Sequence, residues 1–164
     1  MSIDHPPILE TRALTWPDEA ACASFAHALA QHAGINQALI TLAGPLGAGK
    51  TTFVRHLLRA LGVKGRIKSP TYAVLEPHSL SDGSEVAHFD FYRFSDPREW
   101  LDAGFRDVFA RPGLKIVEWP ELAAGLLPVP DLALAIEPLD GDWRHVLATA
   151  HTALGAKLLS APAQ

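Results

Sequence analysis

Lys50, Thr51 and Thr52 close the run Gly44-Pro45-Leu46-Gly47-Ala48-Gly49-Lys50-Thr51-Thr52. Glycine, four residues, then Gly-Lys-Ser/Thr is the pattern of a phosphate-binding loop. Glycines let successive backbone N–H groups curl around an anionic phosphate, and a following helix aims its positive dipole end at the same point. Lys50 supplies a point charge for the β and γ phosphates, and the Thr51 hydroxyl is a ligand for the accompanying Mg²⁺. The backbone of Gly44, Leu46, Gly47, Ala48, Gly49 and Thr52 completes the cradle. A glycine-rich turn that merely carries a lysine is the bland alternative, and the flanks argue against it. Residues 37–43 read as an apolar strand entering the first glycine. Phe53, Val54, Leu57, Leu58 and Leu61 recur on one face of a helix that ends at Gly62. The expectation is a domain that binds a nucleoside triphosphate.

Hydrolysis needs acids, and two stand where strands would deliver them. Residues 114–118 read as a buried strand ending in Glu118, and Pro120 stops it. In phosphate-loop enzymes an acid at the carboxyl end of a neighbouring parallel strand faces the metal and the attacking water. The other acid is Asp90. Asp82-Gly83 suits a tight hairpin, whose second arm is residues 85–94. Along that arm His88, Asp90 and Tyr92 alternate on one face, with Phe89, Phe91 and Arg93 on the other. A carboxylate among aromatics is expensive to bury unless it holds a cation or donors, so Asp90 is a candidate for the magnesium or its waters. Between loop and hairpin lies a polar connection, basic at Lys64, Arg66 and Lys68. Its Ser69 and Thr71 carry hydroxyls fit to sense a γ phosphate in a mobile segment, and a solvated loop is the equal alternative. Trp119 covers the core or meets a partner. No sequence signal ties Arg144 to the nucleotide.

The elements that must position these groups follow in order. Residues 8–14 read as an edge strand. Thr15 is the expected cap of a helix, with Pro17, Asp18 and Glu19 in its first turn and its end near Gly34. His27 and His32 on that helix have no metal-ligand spacing. Short helices are expected from Asp96-Pro97 and over residues 105–109, then β structure at 132–136 and 143–148 around Asp140-Gly141. One more short element precedes an Ala- and Pro-containing tail, expected to be loose. A chain of 164 residues is expected to form one domain, residues 1–164. The net charge of −4 gives no global basic surface for nucleic acid. The apolar runs are too short to cross a bilayer, and the start lacks the pattern of a secretory signal. The lone cysteine, Cys22, reads as a small core residue. Together these features predict a cytoplasmic protein with no membrane association.

Four motifs taken together resemble the TsaE (YjeE) family: the phosphate loop, Lys68-Ser69-Pro70-Thr71-Tyr72, His88-Phe89-Asp90-Phe91-Tyr92-Arg93 and Val117-Glu118-Trp119-Pro120. The family is the small bacterial ATPase of the tRNA threonylcarbamoyladenosine pathway. The resemblance spans the middle half of the chain. It implies a three-layer α/β P-loop NTPase fold with a mixed parallel and antiparallel sheet. It implies Mg²⁺-dependent hydrolysis of ATP, weak alone and stimulated by a TsaB–TsaD heterodimer that the ATP cycle resets between rounds. It implies that tRNA is met only through that complex. Carried over by motif, Lys50, Asp90 and Glu118 are catalytic, Thr51 and Glu118 serve the metal, and Ser69 and Thr71 form the switch segment. The family usually has an acid where this chain has Pro45. That position is not obliged to donate to phosphate, so binding is expected to survive, while any role of the acid in catalysis or partner contact is in doubt. Two readings compete: a small-molecule or nucleotide kinase, although no arginine-rich lid is visible, and a nucleotide-gated binding module in which Asp90 and Glu118 are structural.

Overall fold

The apolar residues just before the phosphate loop form the middle strand of a seven-stranded sheet. The computed structural model describes residues 6–70 and 74–160. Its strands are β1 (Glu10–Trp16), β2 (Leu39–Ala43), β3 (Leu75–Ser79), β4 (Glu85–Asp90), β5 (Leu114–Glu118), β6 (Leu132–Pro138) and β7 (Arg144–Ala150). Its helices are α1 (Glu19–Ala30), α2 (Lys50–Ala60), α3 (Pro97–Asp102), α4 (Phe105–Ala110) and α5 (Ala153–Leu159). The strand order is β1-β7-β6-β2-β5-β4-β3. The four central strands β6, β2, β5 and β4 are parallel, and antiparallel pairs complete both sides. The fold is α/β with a mixed sheet, as expected.

Alternation along β2 explains the layers. Ile40 and Leu42 point into one cluster, with Phe53, Leu57 and Leu58 of α2, Ala26 and Leu29 of α1, and Leu158 and Leu159 of α5. Leu39 points into the other, with Phe89, Val117, Trp100 of α3 and Phe105 of α4. Helices therefore cover both faces, and the central strands are apolar on both sides as parallel strands must be. Each fully buried Leu or Phe contributes roughly 1.5–3 kcal/mol of transfer free energy, so the apolar stripe of α2 alone fixes that helix on the sheet. Parallel pairing also brings the carboxyl ends of β2, β4 and β5 to one rim. In register, Glu118 stands opposite Leu42 on one side and Asp90 on the other.

Several boundaries differ from the sequence reading, for identifiable reasons. Thr15 does not cap a helix. It continues β1, whose antiparallel ladder with β7 runs on to pair Trp16 with Arg144, and Trp16 buries against Phe53. The cap is Asp18, whose carboxylate accepts from the Ala21 N–H at 2.9 Å. Residues 35–37 form a 3₁₀ turn rather than the start of β2. The helix after the phosphate loop begins at Lys50, inside the motif. The hairpin's second arm stops at Asp90, and the chain turns just beyond it, where the Phe94 N–H donates to the Phe91 carbonyl at 2.9 Å. Its first arm starts at Leu75, and Thr71 and Tyr72 lie outside the described residues, as does the C-terminal tail. The element before the tail is the helix α5.

One side chain ties the sheet to that last helix. Asp131 accepts from the Leu39 N–H (2.8 Å) at the start of β2 and from the hydroxyl of Thr152 (2.6 Å), which itself caps α5 by accepting from Gly155 N–H. Helix and strand meet so closely there that a Cβ on Gly155 would fall 1.8 Å from the Asp131 carbonyl oxygen. Asp131→Ala leaves the Leu39 N–H without its acceptor and is expected to cost about 1–3 kcal/mol. Urea unfolding reads this as a lower midpoint; an unchanged midpoint contradicts the tie.

Candidate functional site

The loop is built by steric necessity. Gly44 has φ +152°, and a Cβ there would stand 2.4 Å from the carbonyl oxygen of Ile136 on β6. Gly49 has φ +107°, a conformation L side chains rarely adopt, and it delivers the chain into α2 with that helix's first N–H groups facing the loop. Residues 46–52 line a cavity of about 280 Å³ together with Asp90, Tyr92, Glu118, Trp119 and Arg144. Every loop residue singled out from the sequence except Gly44 faces this space, and Gly44 contributes its carbonyl to Lys50. Leu46 stands exposed on the rim.

Lys50 is buried and turned onto the loop itself. Its ammonium donates to the carbonyl oxygens of Gly44 and Pro45 (2.9 Å for the latter) and lies 4.3 Å from the centre of the Trp119 ring. Burial lowers its pKa, and the carboxylates of Glu118, Glu121 and Asp90 act in the opposite sense. Trp119 itself has φ +57°, uncommon for a bulky residue, and its ring also contacts Tyr92. Such conformations persist only where their surroundings hold them, and they cluster at functional sites. Pro45 has lost an N–H, yet the group this loop uses is its carbonyl, which also accepts from Ala48 N–H at 3.1 Å. Its side chain is exposed.

Both acids meet the loop on one face of the sheet. Glu118 is 2% exposed, and its Oε1 accepts from the Thr51 hydroxyl at 2.9 Å. Its Oε2 lies 2.6 Å from Nε2 of the buried His88. Asp90 is half-buried, and its Oδ1 accepts from the Tyr92 N–H at 3.0 Å. Burial pushes the Asp90 carboxyl above the ordinary carboxylate value, Tyr92 N–H pulls it down, and Glu118 raises it again. A carboxylate oxygen and a threonine hydroxyl beside the phosphate loop form a hard-oxygen donor set of the kind Mg²⁺ takes with a triphosphate. Ser69 lies in the irregular segment before β3. Thr71 is outside the described residues, but where the described chain resumes, the Val74 carbonyl accepts from Asp90 N–H at 2.9 Å. The described chain therefore resumes, at Val74, beside the acid.

Two residues emerge that sequence reasoning did not assign. His88 was visible only as a neighbour of Asp90 on the same strand face, and its bond to Glu118 depends on the β4–β5 register. Arg144 donates from Nε to the Ala48 carbonyl at 2.9 Å, which clamps the loop to the start of β7. Beside it lies a second cavity of about 250 Å³, lined by Trp16, Asp18, Cys22, Asp142 and Arg144 and continuous with loop residues Ala48, Gly49 and Thr52.

Comparison with known proteins bears on this geometry. A family model described as "Threonylcarbamoyl adenosine biosynthesis protein TsaE" matches residues 16–146. A tRNA threonylcarbamoyladenosine biosynthesis protein TsaE from Haemophilus influenzae is 40% identical over 123 residues, 75% of this chain and 77% of that one. The protein of that name from Streptomyces coelicolor is 39% identical over 116 residues, 68% and 78% of the two chains. The one from Bacillus subtilis is 35% identical over 113 residues, 68% and 69%. The crystal structure of Bacillus subtilis YdiB superposes with a TM-score of 0.72 at 26% identity, covering 92% of each chain.

The second cavity makes a chemical prediction. Burial, reinforced by the charge of Glu19, pushes the Cys22 thiol up to about 12, so almost no thiolate exists near pH 8. A disulfide reagent should leave the folded protein unmodified at that pH and react fully once denaturant is added. Fast modification of the native protein contradicts this picture.

Proposed function

The chain belongs to the TsaE family of threonylcarbamoyl adenosine biosynthesis proteins, and from that premise we propose that it is a Mg²⁺-dependent ATPase of the pathway, acting on a TsaB–TsaD heterodimer that it resets between rounds. The observation that carries the ATPase reading is the bond from the Thr51 hydroxyl to Glu118 at the mouth of the loop. A hydroxyl that gives its proton to a carboxylate keeps its lone pairs for a cation. Thr51 and Glu118 would hold Mg²⁺, which would offset the negative charge that develops on the triphosphate.

The remaining roles belong to the chain's own groups. N–H groups of the loop and the α2 N-terminus bind the phosphates. Lys50 exchanges the carbonyls of Gly44 and Pro45 for phosphate oxygens, which satisfies its charge better than two neutral acceptors do. Asp90 orients the attacking water and takes its proton; burial raises its basicity toward what that task requires. Trp119 and Tyr92 exclude bulk water from one side. The cavity of Trp16, Asp18 and Asp142 takes the base, with apolar surface for the ring and carboxylates for an exocyclic amine. Ser69 and Thr71, in the segment that leads to Asp90, respond to the γ phosphate. The path from hydrolysis to the partner runs through that segment, and tRNA is met through the complex. Such a protein works in the cytoplasm.

Lys50→Ala is expected to weaken ATP binding about tenfold or more. Asp90→Ala and Glu118→Ala should keep affinity within a few-fold and lose about 10²–10³ in turnover. Phosphate release measured with and without a TsaB–TsaD heterodimer checks the whole assignment. Stimulation by the heterodimer supports it. Equal rates in Asp90→Ala and the parent chain refute the role of that acid. Transfer of phosphate to a small acceptor would make the protein a kinase, and tight binding without turnover would make it a gated binding module.

A further inference from the structure

We propose that His88 is a positioning residue for Glu118, and that with His78 it forms a two-histidine brace behind the metal-site acid. The inference rests on the Mg²⁺–nucleotide reading above and adds the groups that hold its acid in place. The two carboxylate oxygens of Glu118 are held from different elements: Oε1 by Thr51 at the start of α2, Oε2 by His88 Nε2 on β4. His88 and Glu118 are 1% and 2% exposed, so water does not compete for the bond between them.

The tautomer follows from the partner. A carboxylate only accepts, so the proton of that bond sits on His88 Nε2. His88 Nδ1 is buried with no hydrogen-bond partner among the described residues. His78 on the edge strand β3 has the complementary defect, a buried Nε2 also without a partner among them. In the β3–β4 ladder Glu76 faces His88 and His78 faces Val86. His78 and His88 are therefore diagonal neighbours on one face, a separation that long side chains span. Burial, then the neighbouring His88, hold His78 below the ordinary histidine pKa. A neutral His78 has one N–H to give. The two nitrogens are not bonded to each other directly, and one water between them satisfies both at once.

The brace has a stated task. Lys50 feels the charge of Glu118. A Glu118 released from His88 is free to turn toward that ammonium and away from Thr51, which would spoil the metal site and compete with phosphate for the lysine. Groups that orient metal ligands from behind typically contribute 10–100-fold in metal affinity or activity.

The test uses the full chain with ADP and Mn²⁺ as probes. Mn²⁺ affinity of the protein–ADP complex is measured by electron paramagnetic resonance, ADP affinity in EDTA by calorimetry, and kcat and KM for ATP separately. His88→Leu is expected to weaken Mn²⁺ binding 10–100-fold and lower kcat, with ADP affinity in EDTA and KM within about threefold of the parent. His88→Gln, which restores a donor, should recover most of the loss. His78→Phe should weaken Mn²⁺ two- to fivefold while leaving the Glu118 bond intact. If His88→Leu does not fold, His88→Gln and His78→Phe decide by the same readouts. Parent-like Mn²⁺ affinity in the His88→Leu and His78→Phe variants overturns the brace, as does His88→Gln impaired as severely as His88→Leu. A parent chain that binds no Mn²⁺ with ADP overturns the nucleotide reading itself, a failure distinguishable from that of the brace.

Discussion

The site depends on one buried carboxylate bonded in two directions. Glu118 joins the first turn of α2, through Thr51, to the sheet, through His88. Among the described residues nothing else fixes the phosphate loop relative to the acids so directly. The bond is available because β2, β4 and β5 are parallel, which lays the loop, Asp90 and Glu118 along one rim. Antiparallel central strands would send one of these groups to the opposite edge. A one-residue slip of β4 against β5 would turn His88 and Asp90 to the other face and replace them with aromatic side chains. The register is held by the same alternation that buries Phe89 and Val117 on the far side. Core packing and site geometry are two results of one pattern.

Around this junction the loop satisfies its own charges. Lys50 rests on two loop carbonyls and the Trp119 ring, Ala48 N–H closes on Pro45, and Arg144 holds Ala48 from outside. A buried ammonium needs such partners. They are neutral acceptors, so an anionic ligand exchanges them at little cost. The positive φ of Trp119 puts an aromatic face beside this lysine, directly after Glu118. Pro45 is compatible with all of it, since the structure uses its carbonyl and leaves its ring in solvent.

The phosphate loop was legible in the sequence because its glycines answer to local sterics: a Cβ at Gly44 collides with Ile136, and Gly49 needs a left-handed backbone. Glu118 was legible as an acid ending an apolar strand and Asp90 as a carboxylate among aromatics along one, and the mixed sheet followed from the family resemblance and the Asp82-Gly83 hairpin. What stayed hidden depends on pairing between distant segments. Thr15 looks like a cap until the β1–β7 ladder extends through Trp16. His88 looks like a neighbour of Asp90 until β4 lies beside β5. The Arg144 contact crosses most of the chain to reach Ala48. Local chemistry predicts turns and caps well; register is a property of two strands at once, and a single pass along the chain does not contain it.

The most direct test of the account is a crystal structure of the protein with Mn²⁺ and a non-hydrolysable ATP analogue, the metal located by its anomalous signal. The account predicts the metal at the Thr51 hydroxyl, Glu118 still bridging Thr51 and His88 behind it, Asp90 facing the γ phosphate, and Lys50 moved from the loop carbonyls to the phosphates. A metal bound away from Thr51, with Glu118 and Asp90 both turned from the triphosphate, would contradict it.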